Sequence, residues 1–182
     1  MTHSTHPAPF PKWNLDHAAS LDAPGLLLYR SNLLGSDLRI TNYGGGNTSA
    51  KIVQQDPLTG QDVTVLWVKG SGGDVGSMKL DGFSTLYMDK LEALQGIYRG
   101  PDHEDDMVAY LPHCTFNLNP RAASIDTPLH AYLPFAHVDH MHPDSVIAIA
   151  AMVNSEALTR KIFDGTVGWL PWRKPGFELG LM

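Results

Sequence analysis

The sequence predicts a single α/β domain built in layers, and three observations lead there. Stretches that alternate between apolar and polar residues, the mark of strands, are interspersed with stretches of helical spacing. The best alternating run, residues 62–68, ends in a glycine-rich turn, and another glycine-rich run lies upstream at 44–49. The chain is 182 residues long, 43% hydrophobic and 18% charged, with no internal repeat and no linker to divide it.

Taken in order, residues 1–12 are rich in Pro and His and predict a flexible arm, with 13–182 as the domain. Leu15 to Leu33 reads as helical but is interrupted at Pro24-Gly25, so that Leu26, Leu27, Tyr29 and Arg30 begin a second segment. Arg39 to Tyr43 reads as a short strand running into Gly44-Gly45-Gly46-Asn47-Thr48-Ser49. Ala50 to Val53 returns as a strand, and Asp56 to Gly60 makes a turn. Val63, Val65 and Trp67 then alternate with Thr64, Leu66 and Val68, and Lys69-Gly70-Ser71-Gly72-Gly73 closes that strand.

Phe83 to Tyr98 predicts a strand that gives way to a helix near Asp89. Met107, Val108, Leu111 and Cys114 have helical spacing over 105–116, with Pro112 breaking or ending that helix. Asp126 to Leu133 predicts a short helix with Pro128 in its first turn, and His137 to Met141 a strand. Asp144 to Ala151 predicts an apolar helix capped by Asp144. Residues 158–180 are aromatic, with Gly and Pro among them, and show no clear period.

Composition excludes several classes of function. Thirteen Lys+Arg against 19 Asp+Glu give a net charge of −6, which argues against non-specific nucleic-acid binding. No apolar run reaches the length of roughly 18 to 20 residues that a membrane span needs. The N-terminus lacks the apolar core of a signal peptide. The lone cysteine, Cys114, rules out an internal disulfide framework, fits a reducing cytoplasm, and reads as core rather than nucleophile. Nine histidines direct the metal question to imidazole.

The chemistry concentrates in His137-Val-Asp-His140-Met-His142-Pro143. In an extended strand, i and i+2 side chains share a face, so His140 and His142 make half a metal site, with His137 nearby. Upstream, Asp126 in Ser124-Ile125-Asp126-Thr127-Pro128 is either a helix cap or, beside a metal, an acid/base group. His130 shares its helical face and either orients that carboxylate or packs. The glycine runs at 44–49 and 69–73 are either tight turns or cradles of backbone N–H and hydroxyl groups for an anion. Neither matches the dinucleotide-binding or Walker pattern.

Together, Gly46-Asn47-Thr48-Ser49, Lys69-Gly70-Ser71-Gly72, Ser124 to His130 and His140-Met141-His142-Pro143 resemble the class II aldolase/adducin family. The wider text resembles the aldolase part of its bifunctional rhamnulose-1-phosphate aldolase/alcohol dehydrogenase branch, from about Trp13 onward. The resemblance implies a three-layer α/β/α domain on a largely antiparallel sheet. It implies zinc-dependent cleavage of L-rhamnulose 1-phosphate to dihydroxyacetone phosphate and L-lactaldehyde by a homotetramer. Residues matching the phosphate site are Gly46, Asn47, Thr48, Ser71, Gly72 and Ser124; His140 and His142 match zinc ligands, and Asp126 the acid/base. Simpler members carry Glu at that position, and Ile125 stands where they often carry a second hydroxyl residue. The family's third zinc histidine belongs to a later His-Gly segment; no histidine follows His142, so the chain is expected to be an N-terminal portion. Two alternatives within the same fold are a non-catalytic adducin-like interaction module and a sugar-phosphate 4-epimerase.

Overall fold

The computed structural model of the protein describes residues 12–42 and 44–182. The expected arm at 1–12 falls, apart from Lys12, outside those residues. Helix α1 (Leu15–Ala19) is short, and the Asn14 side chain caps it by accepting from His17 N at 2.9 Å. Helix α2 (Ala23–Gly35) is capped by Asp22, which accepts from Gly25 N at 2.8 Å. Pro24 therefore starts this helix rather than interrupting one: in the first turn its missing N–H has no partner to lose.

Four antiparallel strands follow: β1 (Asn47–Gln55), β2 (Asp62–Lys69), β3 (Phe83–Tyr87) and β4 (His137–His140), ordered β3-β2-β1-β4. Ser49 pairs with Val68 across β1 and β2, and Asn47 with His140 across β1 and β4. Two expectations change here. Arg39 and Ile40 lie in a turn, not a strand, because Asp37 accepts from Arg39 N at 3.0 Å and holds the backbone in a local loop. Strand β1 begins at Asn47 rather than Ala50, so Asn47, Thr48 and Ser49 belong to the ladder and not to the turn before it.

Helix α3 (Met88–Ala93) continues directly from β3. The helical spacing at 105–116 resolves into α4 (Glu104–Val108) and a separate 3₁₀ turn, Leu111–Cys114. Pro112 sits in that turn's second position and excludes a continuous α-helix through it. Helix α5 (Thr127–Tyr132) has Pro128 in its first turn. Helix α6 (Asp144–Ala150) starts at Asp144, whose carboxylate accepts from Asn42 Nδ2 at 3.0 Å instead of capping the helix. The aperiodic end contains α7 (Ser155–Phe163) and the single-turn α8 (Phe177–Leu181), too short to show a period.

The layers pack on both faces of the sheet. On one, Leu27 of α2 meets Ala50 and Phe83. On the other, Leu66, Val68 and Leu86 meet Leu91 of α3, Ala131 of α5 and Phe177 of α8 in the larger core, which also takes in Met107, Leu111 and Cys114. Cys114 is buried, and burial raises its thiol pKa, as befits a core residue. Helix α8 is docked by a buried carboxylate: Glu104 accepts from Phe177 N, from Glu178 N at 3.2 Å and from the Tyr98 hydroxyl at 3.1 Å. Arg30 of α2 ties β4 down, donating to Asp139 Oδ1 at 3.1 Å and to Ser49 O at 2.7 Å. Among the described residues no helix is long and apolar enough to cross a membrane.

Candidate functional site

The antiparallel register brings three polar residues to one end of the sheet: Asn47 at the start of β1, Lys69 at the end of β2 and His140 at the end of β4. Strand alternation then sorts them. Thr48 and Asp139 turn toward α2, where the Thr48 and Ser31 hydroxyls share a 2.6 Å hydrogen bond and Asp139 meets Arg30. Ser49 turns to the opposite face, toward α5, where its hydroxyl lies 2.7 Å from His130 Nδ1. His137, at odd spacing from His140, is exposed and takes no part in the pair.

His140 and His142 do converge. Their Nε2 atoms lie 2.9 Å apart, with ring centroids separated by 4.6 Å. Such an approach needs either one shared proton or a cation between the two lone pairs. His140 is partly buried, and burial lowers its pKa; Asp126 raises it and His142 lowers it further, so the imidazole is biased to the neutral form that ligates metals. Its Nδ1 is buried without a hydrogen-bond partner and faces Asp126 Oδ2 at 3.8 Å. The carboxylate thus stands beside the imidazole at a distance longer than a hydrogen bond. Two convergent imidazoles fit a divalent cation. They supply two ligands, and among the described residues no cluster of three or more His, Cys, Asp or Glu groups could hold a metal ion.

The glycine run serves these histidines directly. A Cβ on Gly45 would stand 2.8 Å from His142 Nδ1, and one on Gly46 would stand 2.7 Å from His140 O. Gly46 also has φ +79°, a conformation that excludes most side chains. The absence of side chains here lets the turn pass against both histidines.

Asp126 occupies the first position before α5 but makes no capping bond there. Its carboxylate instead accepts from Ser124 Oγ at 3.2 Å, while its own N–H donates to the same oxygen at 3.2 Å. The bond from Ser124 and the proximity of His140 place it between that serine and the histidine pair. His130 does not hold Asp126. It is fully buried, bonded to Ser49, and its Nε2 has no partner; burial above all, then the charge of His140, pushes its pKa down to about 3.

A cleft of about 400 Å³ opens above these groups, and Gly46, Asn47, Ser71, Gly72, Ser124, Asp126 and His142 all line it. His140 stands behind His142, and the Thr48 hydroxyl is committed to Ser31 on the far side of the sheet. Asn47 joins the two glycine turns, donating through Nδ2 to Lys69 O at 3.1 Å. Ser71 N donates to Ala122 O at 2.8 Å, which fastens the second turn to the segment carrying Ser124. Gly72 has φ +71° and open space where a Cβ would point.

Sequence spacing places Lys69 only as the head of the second turn. The structure adds that it is buried and lines the cleft. Burial lowers its pKa; Asp126 and Asp74 oppose that shift, and Arg121 adds to it. The signal available in the sequence was a lysine at the boundary between the best strand and a glycine-rich turn.

Residues 27–180 match the family model of the class II aldolase and adducin N-terminal domain. This chain belongs to that family. A solved structure of the N-terminal class II aldolase domain of a conserved protein from Thermoplasma acidophilum superimposes with a TM-score of 0.80 at 33% identity, covering 95% of this chain and 78% of that one. The uncharacterized oxidoreductase YuxG of Bacillus subtilis (strain 168) is 42% identical over 172 residues. That match takes in 93% of this chain but 24% of YuxG, so the chain spans about a quarter of that relative's length. The class II aldolase-like α/β fold with an antiparallel four-stranded sheet is therefore the one expected from the sequence.

Proposed function

We propose that this chain is a metal-dependent aldolase domain that cleaves a ketose 1-phosphate, with L-rhamnulose 1-phosphate as substrate and zinc as the metal. The observation that carries the proposal is the convergence of His140 and His142 Nε2 atoms at 2.9 Å, behind a cleft that Asp126, Ser124 and the two glycine turns also line. The name of the Bacillus relative describes a protein of which this chain spans 24%, and the shared part is the part that matches an aldolase family.

In this proposal the Lys69–Gly72 turn, with Gly46, Asn47 and Ser124, binds the phosphate and fixes the sugar relative to the histidines, which supplies orientation rather than chemistry. Thr48 supports the cradle from behind through Ser31. His140 and His142 would hold the metal. When bound, a divalent metal supplies Lewis-acid charge for the negative charge that develops on the ketone fragment. Asp126 takes the proton from the C4 hydroxyl as the C3–C4 bond breaks. The bond's electron pair passes to the ketone fragment, C4 becomes the aldehyde, and C3 is later protonated. Asp126 is one methylene shorter than Glu, and its tie to Ser124 holds it at the cleft wall.

Two further parts of the proposal concern assembly and location. The homo-oligomer is supported by exposed apolar side chains at Val146, Ile147, Val153, Leu170 and Trp172, and native mass tests it. The single, buried cysteine supports a cytoplasmic location. The enzymatic proposal is tested by following dihydroxyacetone phosphate released from L-rhamnulose 1-phosphate, before and after chelation and after zinc is restored. Release that chelation abolishes and zinc restores is expected. Absence of release, or release indifferent to the chelator, overturns the proposal.

A further inference from the structure

The phosphate end of the cleft has a second cation beside it. Arg30, Arg39, Arg99, Arg160 and Arg173 each face a carboxylate. Arg121, the remaining arginine of the chain, has no such partner among the described residues, although its backbone carbonyl is fixed by Ser84 Oγ at 3.0 Å. Its stem is held against the second glycine turn: a Cβ on Gly70 would stand 2.9 Å from Arg121 Cβ. Its guanidinium lies over the same turn, with Nη1 3.9 Å and Cζ 4.0 Å from where a Cβ on Gly73 would be. Arg121 also lines a neighbouring cavity of about 610 Å³, which shares Val108, Ala122 and Ala123 with the cleft.

The turn thus lies between Lys69 at its base and Arg121 above it. Asp74 and Asp126 offset part of the Lys69 charge, but neither bonds the guanidinium. Two cations facing one glycine-rich turn repel each other until an anion enters. A guanidinium with free donors matches the forked geometry of a phosphate.

We infer that Arg121 is a binding residue for the substrate's phosphate, closing over the Ser71–Gly73 turn and making the site selective for a dianion over a monoanion. This rests on the cradle proposed above and goes beyond it by adding a residue from outside the cleft lining. Lys69 remains the inner contact and Arg121 the outer one.

The test is binding of inorganic phosphate to the intact protein, measured by calorimetry across the pH range in which phosphate passes from monoanion to dianion. Arg121→Gln is expected to weaken binding by about tenfold and to flatten the pH dependence, the loss of a charge-assisted contact. Arg121→Lys should recover part of the affinity, because it keeps the charge but loses the fork. Arg160→Gln, a charge removed from α7, should bind as wild type. If Lys69→Met weakens binding and Arg121→Gln does not, the inference about Arg121 is wrong and the cradle stands. If wild type binds no phosphate, or if Lys69→Met and Ser71→Ala leave binding unchanged, the cradle falls and Arg121 with it.

Discussion

Acidification from pH 7 to pH 5 should destabilise the protein through His130. The side chain is fully buried against Ser49, Nε2 has no partner, and burial holds its pKa near 3 in the folded protein. In the unfolded chain the same imidazole titrates near 6.5, an ordinary histidine value. Between those two values the unfolded state binds a proton that the native state refuses, so stability falls as pH drops through that window. Each pH unit contributes up to about 1.4 kcal/mol, which gives roughly 2 kcal/mol of loss by pH 5. A domain of this size has only about 5–15 kcal/mol to lose. Urea denaturation at pH 7, 6 and 5 measures it, with His130→Asn as the comparison. Asn keeps a hydrogen-bonding group for Ser49 and has no proton to gain, so its packing loss is the same at every pH. The stability gap between wild type and variant should shrink by about 2 kcal/mol from pH 7 to pH 5. Parallel curves would refute the argument.

Three other outcomes follow from the site and its support. Asp126→Asn should lower kcat by about 10²–10⁴ with little change in KM, because it removes proton transfer and leaves the cradle intact; steady-state kinetics check this. Gly45→Ala should weaken zinc affinity by about 10- to 100-fold, since its Cβ would press on His142 Nδ1 from 2.8 Å; competition with a chromogenic chelator reads it, and unchanged affinity would show that the turn does not set the histidine. Gly176→Ala should destabilise the fold by about 2–4 kcal/mol, because φ is +135° there and the new methyl would land on Glu104 Oε1, the carboxylate that docks α8; thermal or urea melts check this.

The sequence carried the site further than it carried the boundaries of the fold. The sequence singled out His140 and His142 because strand parity puts i and i+2 on one face; their Nε2 atoms do meet, although the strand ends at His140 and His142 lies just beyond it. The same parity separates Thr48 from Asn47 once both are known to lie in β1, but a glycine-rich run gives no sign of where the strand begins. Asp126 could not be assigned between cap and site from its spacing; in the structure it makes no capping bond and accepts from Ser124 instead. Arg39 and Ile40 looked like strand because β-prone residues surround them, and a side-chain bond from Asp37 overrides the propensity. Lys69 and Arg121 depend on tertiary placement. Nothing local in the sequence brings a residue before Ala122 over the turn at 70–73.

The central claim, that the two histidines hold a metal facing a cleft for a phosphorylated ketone, is tested most directly by one titration. The protein is loaded with Co²⁺ in place of zinc, and its visible absorption is followed as dihydroxyacetone phosphate is added. A saturable change in the cobalt bands, absent when His140 and His142 are both replaced by Ala, is the predicted result. Cobalt that fails to bind, or bands that ignore the ligand, would contradict it.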